Sequence, residues 1–217
     1  MSEMRERITR RIARELEDGD VVNLGIGMPT MVADFIPDDI RVIFQSENGF
    51  VGMGPRPPKG EEDPDLVNAG SEPVTIKTGG AFFDSTTSFA IIRGGHLDAT
   101  VLGALQVDEQ GNLANWKIPG KLVPGMGGAM DLTVGARQVI VATSHTTKKD
   151  QPKILPECTL PLTAKGEVDL IVTELAVFRV TGQGLLLEEI AEDTTVKEVR
   201  EKTAAGFSIA PELTTFA

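Results

Sequence analysis

The chain contains no tyrosine, one tryptophan, one cysteine and two histidines, and each scarcity removes a class of chemistry. With Cys158 alone, no intrachain disulfide can close and no thiolate cluster can hold a metal. His96 and His145 lie far apart and in neither a His-x-x-x-His nor a Glu-x-x-His pattern, so both are expected to be structural and no zinc site is expected. Ser144 precedes His145, but no Gly-x-Ser-x-Gly elbow presents a serine nucleophile. Basic residues are short as well: 21 Lys and Arg stand against 32 Asp and Glu, a formal charge of −11. That balance argues against nucleic acid as a partner, because counterion release needs a cationic surface. No segment approaches the roughly 18 uninterrupted apolar residues of a membrane span. The start, Met1-Ser2-Glu3-Met4-Arg5-Glu6-Arg7, mixes acids and bases and has no signal-peptide core. A soluble, cytoplasmic protein without a membrane partner is expected.

What is present is 217 residues, 41% of them hydrophobic, and 23 glycines. That length and composition can bury a core and fit one domain over 1–217, while the glycines predict loops with close backbone approach. Ile8, Ile12, Ala13 and Leu16 recur at helical spacing among charged residues and stop at Asp18-Gly19-Asp20. Val21-Val22-Asn23-Leu24 reads as a strand, followed by a glycine turn and a helix over Met31–Ile36 closed by Pro37. Arg41-Val42-Ile43-Phe44 reads as a second strand. The proline- and acid-rich stretch from Gly52 to Pro73 reads as a surface excursion. A helix over Ser85–Ile92, strands at Ala99–Leu102, Gln138–Ala142 and Val168–Glu174, a hairpin about Thr181-Gly182-Gln183-Gly184 and a closing helix capped by Thr194 or Thr195 complete the pass. This alternation predicts an open α/β fold, a mixed, mainly parallel sheet flanked by helices.

Three places invite chemistry. Gly25-Ile26-Gly27-Met28-Pro29 follows a strand like the opening of a dinucleotide fingerprint, but Thr30 occupies the third glycine position, leaving a tight turn that frames a cleft. Glu47 follows an apolar strand directly, where open α/β sheets place ligands. Read alone it is either a solvated surface carboxylate or a catalytic one, with Gly49 and Gly52 permitting close approach. The run Gly125-Met126-Gly127-Gly128-Ala129-Met130-Asp131 is either a crossover loop or a nest of backbone N–H groups for an oxyanion or phosphate. Trp116 is a packed residue or a pocket wall, and Cys158 looks like a small buried residue.

The runs Asn23-Leu24-Gly25-Ile26-Gly27-Met28-Pro29-Thr30, Gln45-Ser46-Glu47-Asn48-Gly49, Ile92-Arg93-Gly94-Gly95-His96-Leu97-Asp98 and Gly111-Asn112-Leu113-Ala114-Asn115-Trp116 occur in order. Ile118-Pro119-Gly120-Lys121, the 125–132 glycine loop, Cys158-Thr159-Leu160-Pro161-Leu162-Thr163 and Leu175-Ala176-Val177-Phe178 follow. Together they resemble the B component of succinyl-CoA:3-oxoacid CoA-transferases over nearly the whole chain. The resemblance implies that Glu47 is a covalent nucleophile and that Gly127, Gly128 and Ala129 serve the oxyanion and coenzyme A. Ser46, Asn48 and Gly27 adjoin these runs and either position the site or simply form its turns. It implies succinyl-CoA and acetoacetate as substrates, or 3-oxoadipate or another short-chain acid. It implies no permanently bound cofactor, with the coenzyme A thioester entering as substrate. It also implies a partner A component, in a heterotetramer of two A and two B chains. The chain departs from the pattern at Ser71 and Pro124, where many relatives carry lysine, which leaves the acid open.

Overall fold

A computed structural model describes residues 2–120 and 125–217. The amino-terminal half contributes α1 (Glu3–Ala13), β1 (Val21–Leu24), a 3-10 helix (Met28–Phe35), β2 (Ile43–Ser46), β3 (Phe50–Met53) and β4 (Ile76–Phe82). Next come α2 (Ser85–Arg93), β5 (Leu97–Gly103), β6 (Gln106–Asp108), β7 (Leu113–Ala114), α3 (Ala129–Gly135) and β8 (Ala136–Ala142). The remainder is β9 (Ile154–Leu155), β10 (Leu170–Val172), β11 (Ala176–Thr181), β12 (Gly184–Ala191), α4 (Val196–Lys202) and β13 (Phe207–Phe216).

Among the described residues, ten strands form one sheet in the order β13-β12-β11-β10-β8-β5-β1-β2-β3-β4. Its centre, β10-β8-β5-β1-β2, is parallel throughout. β11 and β12 join one side antiparallel and β3 and β4 the other, and β13 returns parallel to β12. The mixed, mainly parallel sheet expected from the alternating pattern is therefore the one found. The chain leaves β1 toward β2 on one side and later lays β5 on the other, so the sheet's topological switch point falls between β1 and β5. Ligands in open α/β sheets bind outside the carboxyl ends of the strands at such a point.

Period-2 alternation sends the central strands' side chains to two cores. Val22, Val101, Ile140 and Leu170 join Ile8 and Ile12 of α1 on one face. Leu102, Val139, Val141 and Ile171 join Ile92 of α2, Leu132 of α3 and Val199 of α4 on the other. Full burial of each such aliphatic is worth about 1.5–3 kcal/mol. Three in-register residues break the apolar rule on the second face: Gln45 pairs with Asn23, which pairs with Thr100, and all three are buried.

The structure departs from the sequence pattern in several places. The segment after the glycine turn is a 3-10 helix starting at Met28, with Pro29 in its first turn. β4 and β13 carry no alternating pattern: β4 is mostly exposed through Lys77-Thr78-Gly79-Gly80, and β13 holds Pro211 inside a register shift between Leu187 and Glu189. Arg11, one of the charged residues among these apolar positions of α1, is 6% exposed and bridges Glu15 and Glu189. At the closing helix Thr195, one of the two candidate caps, accepts from Glu198 N at 3.2 Å, while the Glu198 side chain turns to Lys202.

Candidate functional site

β1, β2 and β5 end together, and a cleft of about 530 Å³ opens beyond them. Gly25 and Ile26 leave β1, Glu47 leaves β2, and Gly103 to Leu105 leave β5. Gly125 to Ala129 close the side opposite, with Asn115 and Trp116. Gly25 is required by close approach: its N–H donates to Val101 O at 2.8 Å, and a Cβ there would meet that oxygen at 2.9 Å.

Glu47 is half-buried and faces this cleft. Its carboxylate Oε2 accepts from Asn23 Nδ2 at 3.0 Å. The same nitrogen donates to Gln45 Oε1 at 2.8 Å, Gln45 Nε2 reaches Ser88 Oγ at 3.0 Å, and Ser88 Oγ donates to the Glu47 carbonyl at 2.8 Å. Four residues from β1, β2, the loop after β2 and α2 thus close a polar ring. Asn23, Gln45 and Ser88 are each at most 1% exposed.

The glycine loop meets the same side chain. A Cβ on Gly128 would lie 3.3 Å from Glu47 Cγ and 3.5 Å from the Phe89 ring, so the missing side chain lets the loop close on the glutamate. Gly125 and Gly127 adopt φ of 115° and 58°, which glycine takes without strain. Gly128 precedes the short helix α3, and Ala129 N reaches Met126 O at 3.5 Å.

Ser46 and Asn48, expected to orient the carboxylate, bond elsewhere. Ser46 Oγ accepts from Ala69 N at 3.1 Å, and Asn48 Nδ2 donates to Val67 O at 2.8 Å. They pin the 67–70 loop, which supplies Ala69 to the cleft wall. Asn23 holds Glu47 instead. Its signal in the sequence is that of the one polar residue inside an apolar strand, a buried amide with a task. Gly27 has φ 88° and is exposed at the start of the 3-10 helix, beside Ile26 rather than on the cleft wall. Ser71 is exposed with φ 61°, its N–H bonded to Asn68 O at 2.9 Å; Pro124 lies outside the described residues.

A model of the coenzyme A transferase family matches residues 5–202. The chain belongs to that family. It is 56% identical over 211 residues to the beta subunit of acetate CoA-transferase from Escherichia coli K12, covering 97% of this chain and 96% of that one. It is 49% identical to the B component of the succinyl-CoA:3-ketoacid coenzyme A transferase of Helicobacter pylori 26695, covering 95% and 99%. Among solved folds it superposes on an acyl-CoA transferase apoenzyme from E. coli O157:H7 with a TM-score of 0.78 at 24% identity. That match covers 99% of this chain but only 43% of the larger protein. A variant of the decarboxylase AibA/AibB gives a TM-score of 0.71 at 19% identity, covering 98% of this chain and 88% of that one. A decarboxylase and a transferase thus share this architecture, so the fold alone does not select the reaction.

His145 and Cys158 are not on the cleft wall, and Lys153 borders the cleft through an adjoining groove. His145 is fully buried, its ring nitrogens 2.9 Å from Thr173 Oγ1 and 2.8 Å from Thr203 Oγ1. Burial, reinforced by Lys202, pushes its pKa down to about 4. Cys158 is half-buried, and burial together with Asp108 pushes its thiol up to about 12. Lys153 is a half-buried cation bonded to Thr143 Oγ1 at 3.0 Å, its pKa lowered by burial. It lines a groove of about 240 Å³ that shares Ile26, Gly103 and Ala104 with the cleft. No described helix is long and apolar enough to cross a membrane.

Proposed function

We propose that this chain is the glutamate-bearing B component of a coenzyme A transferase and that Glu47 is its covalent nucleophile. The carrying observation is the carboxylate at the carboxyl end of β2, held by Asn23 and faced by Gly128 inside the cleft. The Glu47 carboxylate attacks the thioester carbonyl of an acyl-CoA, and the carbon–sulfur bond breaks to release CoA thiolate and leave a mixed anhydride. The thiolate then attacks the glutamyl carbonyl, the donor acid leaves as its carboxylate, and Glu47 is left as a glutamyl-CoA thioester. An acceptor carboxylate reverses the two steps and departs as the new acyl-CoA, which gives ping-pong kinetics.

Each tetrahedral intermediate carries an oxyanion, for which the backbone N–H groups around Gly127, Gly128 and Ala129 are the proposed donors. Ser46 and Asn48 serve by fixing the 67–70 wall. Lys153 is suited to an anionic portion of a substrate entering from the adjoining groove. No permanently bound cofactor is needed for this sequence of steps. Relatives named as the B or beta member of an enzyme support a partner A chain, and we place two A and two B chains in a cytoplasmic heterotetramer. Succinyl-CoA with acetoacetate is the proposed pair, with acetate, 3-oxoadipate or another short-chain acid as the competing acceptor.

Intact-mass spectrometry of the complex with its cognate A component, mixed with acyl-CoA, tests the chemistry. A CoA adduct mapped to Glu47 is expected. Thioester hydrolysis without an adduct would instead make Glu47 a general base acting on water and overturn the transferase reading.

A further inference from the structure

The polar ring beneath Glu47 has a single self-consistent direction of hydrogen bonding. The Glu47 carbonyl can only accept, so the Ser88 hydroxyl must donate to it. With its one proton so placed, Ser88 Oγ accepts from Gln45 Nε2. The amide nitrogen of Gln45 therefore faces α2 and its oxygen faces β1, where it accepts one N–H of Asn23. The other N–H of Asn23 is left for Glu47 Oε2.

Turning either amide over breaks this order. A flipped Gln45 would set its oxygen against a hydroxyl whose proton is already committed, and its nitrogen against that of Asn23. A flipped Asn23 would bring its oxygen against both Gln45 Oε1 and Glu47 Oε2. Asn23 Oδ1 is buried and has no hydrogen-bond partner among the described residues, so the oxygen end does not hold the amide in place. Its orientation is set from the nitrogen end, where Gln45 Oε1 at 2.8 Å is the shortest partner, with Glu47 Oε2 at 3.0 Å and the Gln45 backbone carbonyl at 3.3 Å beside it.

We infer that Gln45 and Ser88 are positioning residues for the nucleophile. They lock Asn23 as a donor to Oε2 and fix the peptide of Glu47, leaving Oε1 to attack the thioester. Neither touches substrate. The inference rests on Glu47 being the nucleophile, and its test separates the two ideas.

In the complex with the cognate A component, the rate of CoA adduct formation on Glu47 is measured by rapid quench and intact mass for wild type, Ser88→Ala, Ser88→Thr and Gln45→Met. Ser88→Ala and Gln45→Met are expected to slow the adduct by about tenfold or more, since small misplacements of a nucleophile are costly. The KM for acyl-CoA should stay within about twofold, because no substrate contact is removed. Ser88→Thr, which keeps the hydroxyl, should recover most of the rate. Wild-type adduct rates in Ser88→Ala and Gln45→Met overturn the inference, as does a loss confined to KM or equal slowing in Ser88→Thr and Ser88→Ala. Absence of any adduct in wild type removes the nucleophile reading itself. Should Ser88→Ala fail to assemble, Gln45→Met decides.

Discussion

Gly128 stands against Glu47 so closely that a Cβ on the glycine would lie 3.3 Å from the glutamate Cγ. The backbone at Gly128 has φ −81°, an angle alanine also adopts, so a methyl added there acts through space and not through backbone strain. Gly128→Ala is expected to lower turnover by about tenfold or more by displacing Glu47 or the facing N–H. The melting temperature should change little. A variant with wild-type turnover would mean that the contact between this loop and Glu47 does not govern turnover.

Removing the carboxylate itself gives the larger effect. Glu47→Gln keeps the size of the side chain, and the Asn23 donor can still meet an amide oxygen, but a neutral amide cannot form the anhydride. Transfer by the reconstituted complex should fall by at least about a thousandfold while acyl-CoA still binds. Retained transfer would defeat the assignment.

His145 makes stability depend on pH. Its folded pKa of about 4 lies below an unfolded value of about 6.5, so between the two the unfolded state binds more protons. Stability contributed by the neutral ring is therefore intact above about pH 6.5 and is lost as pH falls toward 4, by roughly 3 kcal/mol over that window. Urea titrations at several pH values should show this decline, and His145→Gln should flatten it. An unchanged slope in the variant would place the pH dependence elsewhere.

The Cys158 thiol, held near 12 by burial and Asp108, is almost entirely protonated at neutral pH. Iodoacetamide should label the native protein far more slowly than the urea-unfolded chain. Equal rates would contradict the environment described.

Arg11 is buried between Glu15 and Glu189, tying α1 to β12. Arg11→Ala leaves two carboxylates without their cation and should cost about 3 kcal/mol or more in thermal or urea unfolding. The exposed i,i+4 pair Arg10 with Glu6 should matter far less on truncation of Arg10.

The amino-acid order by itself determined the α/β class, the strands of the parallel centre and the position of Glu47 at the carboxyl end of a strand. These are local matters: a short β-branched run, a glycine turn and a carboxylate straight after a strand are all written within a few neighbouring residues. The ordered motifs carried the family as well. β4 and β13 were illegible because each is a strand through its partner: ladder bonds to β3 and β12 overrule the glycines of one and the proline of the other. The buried state of Arg11 was hidden for a similar reason, since Glu189 lies 178 residues away. Within the site, Ser46 and Asn48 look like the natural partners of Glu47 because they adjoin it in sequence, yet alternation and the turn aim them at the 67–70 loop. Asn23, Gln45 and Ser88 hold the glutamate because adjacent parallel strands in register and one helix bring them together on a single face. Only tertiary packing decides which amide meets which carboxylate, since a hydrogen bond is chosen by distance and direction in space and not by position along the chain.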